Sequence, residues 1–311
     1  MLPFTLKQLY IIKTVSNEKN ITKAADLLYL SQPYLSKQIK ILEQSLKITL
    51  FNRKSNELTL TENGKIFLQY CERILDLCEE SYRALVDLKI GNRGTLTVGA
   101  SQTIGTYLMP QIIALFRQNY PQIKLNIEVN STRLISKQIV DRHIDIAIIG
   151  GEVPINLIKN LNLDFFIEDE LNLIISQSHP FANKKTIKKE ELYNLKFITL
   201  NATSTIRHFI DNILQQRSIN TNQLNIIMQL NSIESIKTAV SLGLGVAFVS
   251  SSAIEKELRL QTIKIIQIEN IKITRPLSIL THSQCYKSKA FHLFYNEIAT
   301  LKKSIKKFRQ F

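Results

Sequence analysis

The chain is predicted to fold in three parts: a small, mainly helical N-terminal domain, one long helix, and a larger α/β region in two halves. Three observations carry that prediction. Residues 5–46 place apolar side chains at helical spacing in three short runs. Residues 62–89 hold an apolar repeat of alternating fours and threes. Beyond Gly94, short β-branched runs alternate with amphipathic ones. A chain of 311 residues is too long for one small core and fits two or three domains. With 44% hydrophobic residues, burial can offset the entropy of ordering it.

Composition narrows the function classes. No run of about 18 apolar residues occurs, so neither a membrane span nor a membrane partner is expected. Met1 to Lys13 has no apolar h-region and no small-residue cleavage site, so it is not expected to be a secretory signal. Three cysteines without paired metal spacing suit a reducing compartment, and an intracellular soluble protein without a metal site is expected. The net charge of +14 makes a polyanion a fair first partner, with a generally basic surface as the plain alternative. Residues 1–54 hold nine Lys/Arg against three Asp/Glu. The far end is basic too, at Lys302, Lys303, Lys306, Lys307 and Arg309, so charge alone does not single out a nucleic-acid end. Abundant Ile, Asn and Lys, with few Gly and Pro, point to AT-rich codons and say nothing of mechanism.

Leu6, Leu9, Ile12 and Val15 predict a first helix over 5–16. Asn20 can cap a second, in which Ala24 and Ala25 let another helix cross closely. After the turn at Tyr29-Leu30, Ser31 can cap a third helix reaching Leu46, with Pro33 harmless in its first turn. Leu35, Ile39, Leu42 and Leu46 form its apolar stripe; Gln32, Ser36, Lys37 and Lys40 lie off it. Two helices, a tight turn and a polar second face make a helix-turn-helix, and the residue types suit DNA. Gln pairs with adenine, Ser reaches bases or phosphates, and Lys contacts guanine or backbone. A solvated face on an ordinary helical bundle fits the same pattern about as well. Leu50–Arg53 and Glu57–Leu60 read as two short strands around the turn Lys54-Ser55-Asn56, a β-wing with Arg53 and Lys54 placed for phosphates or a narrow groove.

These runs resemble a known family. Asn20-Ile21-Thr22-Lys23-Ala24-Ala25, Leu30-Ser31-Gln32-Pro33, Leu35-Ser36-Lys37-Gln38-Ile39, Leu42-Glu43, Leu50-Phe51-Asn52-Arg53 and Leu60-Thr61-Glu62-Asn63-Gly64 look like the signature of LysR-type transcriptional regulators. The resemblance implies a winged helix-turn-helix over 1–61 that binds double-stranded DNA. The residues assigned to it are Thr22, Lys23, Ser31, Gln32, Pro33, Ser36, Lys37 and Lys40, with Arg53 and Lys54 from the wing. One departure is Lys47, where the family usually has Gly; it removes an easy C-cap and leaves the end of the third helix open.

Thr61 can cap the long helix, placed at 62–91 as linker and dimerisation element. Phe67, Cys71, Ile74, Cys78, Ser81, Leu85 and Leu88 form a heptad seam that predicts a partner helix, with packing on its own chain as the alternative. The resemblance implies dimerisation here. Cys71 and Cys78 read as small buried apolar groups. Gly91-Asn92-Arg93-Gly94 marks a hinge.

From Gly94 the alternation predicts parallel sheets flanked by helices. Strands are expected at 95–99, 124–129, 144–149, 171–176, 196–200, 225–229, 245–249, 263–268 and 277–281, with a final helix over 288–307. A return through crossing strands would join two Rossmann-like subdomains, at about 94–166 with 269–311 and about 167–268. The family implies this architecture, which resembles periplasmic binding proteins, as an effector-binding region over 92–311. Ligands in such folds sit at strand C-termini. That selects Ser101, Gln102 and Thr103; Ser131 and Thr132; Gly150, Gly151 and Glu152; Asn201 and Thr203. Each loop offers hydroxyl, amide or N–H groups beside a helix start, suited to an anion, though any one loop could simply cap its helix.

The runs Gly99–Pro110, Asn130–Arg133 and Ile148–Pro154 further resemble RuBisCO-operon regulators of cyanobacteria and red-lineage plastids. That implies control of carbon-fixation genes in response to a phosphorylated metabolite, a sugar phosphate for example, or NADPH. It implies the plastid stroma, or otherwise a bacterial cytoplasm. The expected partners are DNA, a small effector, copies of the chain assembling from dimer to tetramer, and RNA polymerase. No cofactor is expected. The five histidines are scattered, no CxxC, Walker or G-x-S-x-G sequence occurs, and Gly243-Leu244-Gly245 lacks a third glycine in register. An enzyme is therefore not expected; a LysR-type regulator of another metabolic operon and a metabolite-binding module without DNA specificity are the other rivals.

Overall fold

The computed structural model describes the backbone of residues 2–52, 58–90 and 94–308, and their side chains except at 83, 86–90 and 303–308. The chain divides into two compact units, Met1–Lys89 and Ile90–Phe311.

In the first unit, α1 (Leu6–Glu18) starts from a capping box in which Thr5 and Gln8 satisfy each other's N–H groups. Asn20 caps α2 (Ile21–Leu27) by accepting from the Lys23 N–H at 3.0 Å. Ser31 caps α3 (Gln32–Leu46). The two buried alanines lie where the three helices meet, among Leu9, Ile12, Leu35 and Leu42. Lys47 settles the open end of α3. It adopts φ 55° itself, and the Ile48 N–H reaches back to the Glu43 carbonyl at 3.1 Å. The helix thus ends on a left-handed residue without glycine. Strands β1 (Phe51–Asn52) and β2 (Thr59–Leu60) pair antiparallel as the base of a wing. The Glu43 carboxylate accepts from the N–H groups of Leu50 and Phe51, tying that base to α3. The wing tip, with Arg53 and Lys54, lies outside the described residues.

Helix α4 (Glu62–Ile90) begins where Thr61 accepts from the Gly64 N–H and donates to the Thr49 carbonyl. Gly64 is required there: a Cβ would stand 2.1 Å from the Leu50 carbonyl oxygen. The predicted heptad seam needs correction. Cys71 is fully buried, and Phe67 and Ile74 partly buried, in the core of their own unit beside Leu75. Ser81 and Leu85 are exposed, and the Leu88 side chain is outside the described set. A different stripe, Ile66, Tyr70 and Leu77, is more than half exposed. Spacing of four and three marks an apolar face without saying what covers it. This helix carries two such faces, and one of them packs on α1, reinforced by Lys13–Asp76 and Tyr10–Glu79 contacts.

The second unit is built on a mixed sheet. β3 (Gly94–Ser101) lies parallel between β4 (Ile123–Asn130) and β5 (Ile146–Ile149). A long strand, β6 (Leu161–Ser176), and the returning β12 (Thr274–His282) run antiparallel to each other. Residues 161–170 of β6 pair with β12; residues 171–176 pair with β10 (Ala247–Ser250) and β11 (Ile263–Ile268). The hand-over between halves therefore falls at Glu170/Leu171, four residues later than expected. β11 also pairs with the short β7 (Thr186–Ile187). β8 (Lys196–Leu200) and β9 (Asn225–Leu230) pair parallel.

Both faces of each half are covered, which explains the near-continuous apolar strands. In the first half, α5 (Met109–Asn119) and α10 (Lys289–Phe308) bury Phe116, Phe166 and Phe294 on one face. α6 (Thr132–Val140) buries Ile135 and Ile139 on the other. In the second half, α7 (Thr205–Gln216) covers Phe197 and Val246. Opposite it, α8 (Ile233–Ser241), with the short α9 (Glu255–Arg259), covers Ile174 and Ile198. A π-helical turn, Ile104–Leu108, precedes α5.

Candidate functional site

The N-terminal unit presents one polar surface on α2 and α3. Thr22, Lys23, Ser31, Gln32, Pro33, Lys37 and Lys40 are exposed there, and Ser36 is half-buried. Ser31 uses its hydroxyl to accept from the Tyr34 N–H, so it serves the helix as a cap first. Among the described residues, nothing pairs with the ammonium groups of Lys23, Lys37 or Lys40, which leaves them open to phosphates. Tyr29, in the turn before α3, holds φ 53° and is 95% exposed. The sequence marked the turn but nothing in it marked that residue as the left-handed one.

In the C-terminal unit the C-terminal ends of β3, β4, β5, β8 and β9 open onto one crevice of about 520 Å³. Eight of the selected residues line it: Ser101, Gln102, Thr103, Ser131, Thr132, Gly150, Asn201 and Thr203. Gly151 and Glu152 do not. A Cβ on Gly151 would meet the Thr132 hydroxyl at 2.9 Å, so glycine is needed beside that lining residue, and Glu152 is exposed. The starts of α6, α7 and α8 lie at the crevice, as does the turn leading into α5; Ser131 and Ser204 cap one first-turn N–H each, and the positive ends of these helices favour an anion there. The Thr103 hydroxyl is buried in this wall and has no hydrogen-bond partner among the described residues.

Sequence reasoning missed much of the lining, and three of the missed parts bear on its chemistry. The Asn231-Ser232 loop follows β9 under the same rule that selected the others, and could have been found by it. Tyr107 and Glu234 come from helices that flank the cavity, with no marker in their spacing. Burial pushes the Tyr107 hydroxyl pKa up, and its hydrogen bond to Glu234 adds to this. Burial also pulls the Glu234 carboxyl up, but hydrogen bonds from Lys237 and Tyr107 outweigh it and hold the acid below its usual range. Lys237, itself buried, is held by Glu234, Glu257 and the Ala253 carbonyl. Arg275, on β12, is the third miss. Its partner Asp169 stands on β6, over a hundred positions away in the chain.

Two family descriptions cover the chain: "Bacterial regulatory helix-turn-helix protein, lysR family" over residues 6–65 and "LysR substrate binding domain" over residues 89–302. Probable RuBisCO transcriptional regulators of Phaeodactylum tricornutum and Porphyra purpurea are 68% and 53% identical to it. The alignments span 98% and 96% of this chain, and 99% and 95% of theirs. Three solved structures share the fold. A full-length OxyR variant of Pseudomonas aeruginosa gives a TM-score of 0.71 at 24% identity, covering 96% of this chain and 95% of that one. Full-length CbnR, solved in complex with its target DNA, gives 0.67 at 18%, covering 96% and 99%. The regulatory domain of Synechocystis PCC6803 CcmR, solved in complex with 2-PG, gives 0.61 at 23%, covering 68% and 98%. With the helix-turn-helix and the crevice-bearing region each matched and the relatives aligned end to end, the chain belongs to the LysR family of transcriptional regulators, which are not enzymes.

Proposed function

We propose that this regulator controls RuBisCO and associated carbon-fixation genes in the plastid stroma, in response to a small anionic metabolite bound in the crevice. The names of its full-length algal relatives support the gene assignment. The observation that carries the effector assignment is the Thr103 hydroxyl, buried and without a partner among the described residues in a wall where helix starts converge. Such a group costs stability unless something meets it. The CcmR domain, of the same fold, was solved with 2-PG, which favours a sugar phosphate or similar small anion over NADPH.

In this reading α3 enters the major groove with Gln32 and Lys37 towards the base edges, and the wing follows the backbone. Copies of the chain pair through the exposed stripe of α4, and pairs assemble further into a tetramer. Effector binding favours one closure of the crevice, alters the spacing of the DNA-reading heads, and so changes how RNA polymerase is met. The effector must bind one arrangement more tightly than the other for this to work. Fluorescence anisotropy with DNA from upstream of the RuBisCO genes tests the proposal, at physiological salt and with sugar phosphates, 2-PG and NADPH added in turn. Preference for that DNA over bulk competitor, shifted by one of the anions, is the expected result. Equal binding to both DNAs would overturn the DNA assignment; no shift with any anion would overturn the effector assignment.

A further inference from the structure

We infer that Arg275 is the cationic ligand of the effector's anionic group, an inference that rests on the crevice being the effector site. The guanidinium is buried, with its side chain only 4% exposed, yet it lines the crevice. A guanidinium has five N–H groups to satisfy. Nε donates to Asp169 Oδ2 at 2.9 Å, and Nη1 donates to the Gly150 carbonyl at 3.1 Å. Nη2 also lies 2.9 Å from Oδ2, but among the described residues neither of its N–H bonds makes a well-directed hydrogen bond. Oδ1 of the same carboxylate is taken by the Ser250 hydroxyl at 2.7 Å. The cation is thus held in place by Asp169 while part of its donor set is left unused.

Three further facts direct those donors towards a ligand. Thr103, the other orphaned polar group of this lining, belongs to the same crevice. Gly150 has no side chain to cover the guanidinium; a Cβ there would stand 3.2 Å from Cζ. The carboxylate of the lining, Glu234, is engaged by Lys237, so it is not the missing partner. A phosphate or carboxylate has the geometry to accept from Nη2 and from a hydroxyl at once, and charge-assisted bonds of this kind are the strong ones. The placement also matters. Arg275 and Asp169 face each other in register on β12 and β6, beside Glu170/Leu171, where β6 passes from one half to the other. An anion bound to Arg275 therefore shares its anchor with the crossover itself.

The test uses the full chain, isothermal titration calorimetry, and two probes, 2-PG and inorganic phosphate. The wild type should bind 2-PG saturably. Arg275→Gln should weaken it by roughly 10- to 100-fold, the range for loss of a hydrogen bond to a charged group. Asp169→Asn, which keeps the geometry and removes the competing charge, should tighten it. A group that only props up the fold would give weaker binding in both variants. Arg275→Gln that is folded by circular dichroism and binds like the wild type overturns the inference and leaves the crevice reading standing. If Arg275→Gln does not fold, Asp169→Asn decides alone, and unchanged or weaker binding overturns the inference. Absence of saturable binding of either probe by the wild type overturns the crevice reading, and this inference with it.

Discussion

Lys47 shows how a local rule can be broken and the element still end where it should. The left-handed conformation at φ 55° costs a residue with a Cβ about 1–2 kcal/mol, and glycine escapes it. Glycine loses more backbone entropy on folding, so the net gain is smaller. Lys47→Gly should raise the stability of the N-terminal unit by about 0.5–1 kcal/mol, read as a shift of the urea midpoint at unchanged slope. A loss of stability would mean that the Lys47 side chain does something beyond closing the turn. The caps Asn20, Ser31 and Thr61 were legible in the sequence because their chemistry reaches only three residues along the chain. Arg275 was not, because its partner arrives by strand crossing. Gln32 tests the reading surface of α3. An exposed Gln in the first turn of a recognition helix can bind adenine bidentately, so Gln32→Ala should cost about 1–3 kcal/mol against the cognate site and relax specificity there. Unaltered binding to cognate DNA would remove Gln32 from the interface.

At the scale of elements, periodicity located most helices and strands; it passed over the short β7 and α9, and it failed in two more instructive places. The first ten residues of β6 were missed because Asn162, Asp164, Glu168, Asp169 and Glu170 interrupt the apolar run. Backbone pairing with β12 makes that stretch a strand, and its buried residues, Leu161, Phe166, Ile167 and Asp169, do not alternate regularly. In α4 the periodicity was real but belonged to two faces. Cys71 and Leu75 are fully buried in the unit's own core, and burial pushes the Cys71 thiol up to about 12. Leu77 is 55% exposed on the other face, in line with Ile66 and Tyr70. The two faces should separate on mutation. Leu77→Glu should dissociate the assembly, read by analytical ultracentrifugation, with little effect on the thermal stability of the unit. Leu75→Ala should cost about 2–5 kcal/mol of folding stability, as deletion of buried leucine methyls does. An assembly unmoved by Leu77→Glu would place the self-contact elsewhere.

For the molecule as a whole, the crevice was legible because it follows from topology: strand ends converge wherever parallel strands enter helices side by side. What topology could not supply is which lining group the bound ligand engages, and Thr103 allows that to be decided. Replacing a hydrogen-bonded buried threonine by valine ordinarily destabilises a protein, since it strips a partner from another group. Here the hydroxyl has no partner within the described chain, so its removal takes away an unmet polar group and leaves the shape. Thr103→Val should therefore leave the effector-free unit as stable as before or more so, by up to about 1 kcal/mol. In the bound state the sign reverses, because the ligand loses the bond it was to make. Effector affinity should fall about tenfold, and the effector concentration that gives half of the change in DNA binding should rise by the same factor. Basal DNA affinity should be unchanged, because α3 belongs to the other unit. The opposite pairing of results, lower thermal stability without effector and a normal response with it, would mean that the hydroxyl serves the fold and that the ligand is held by other groups.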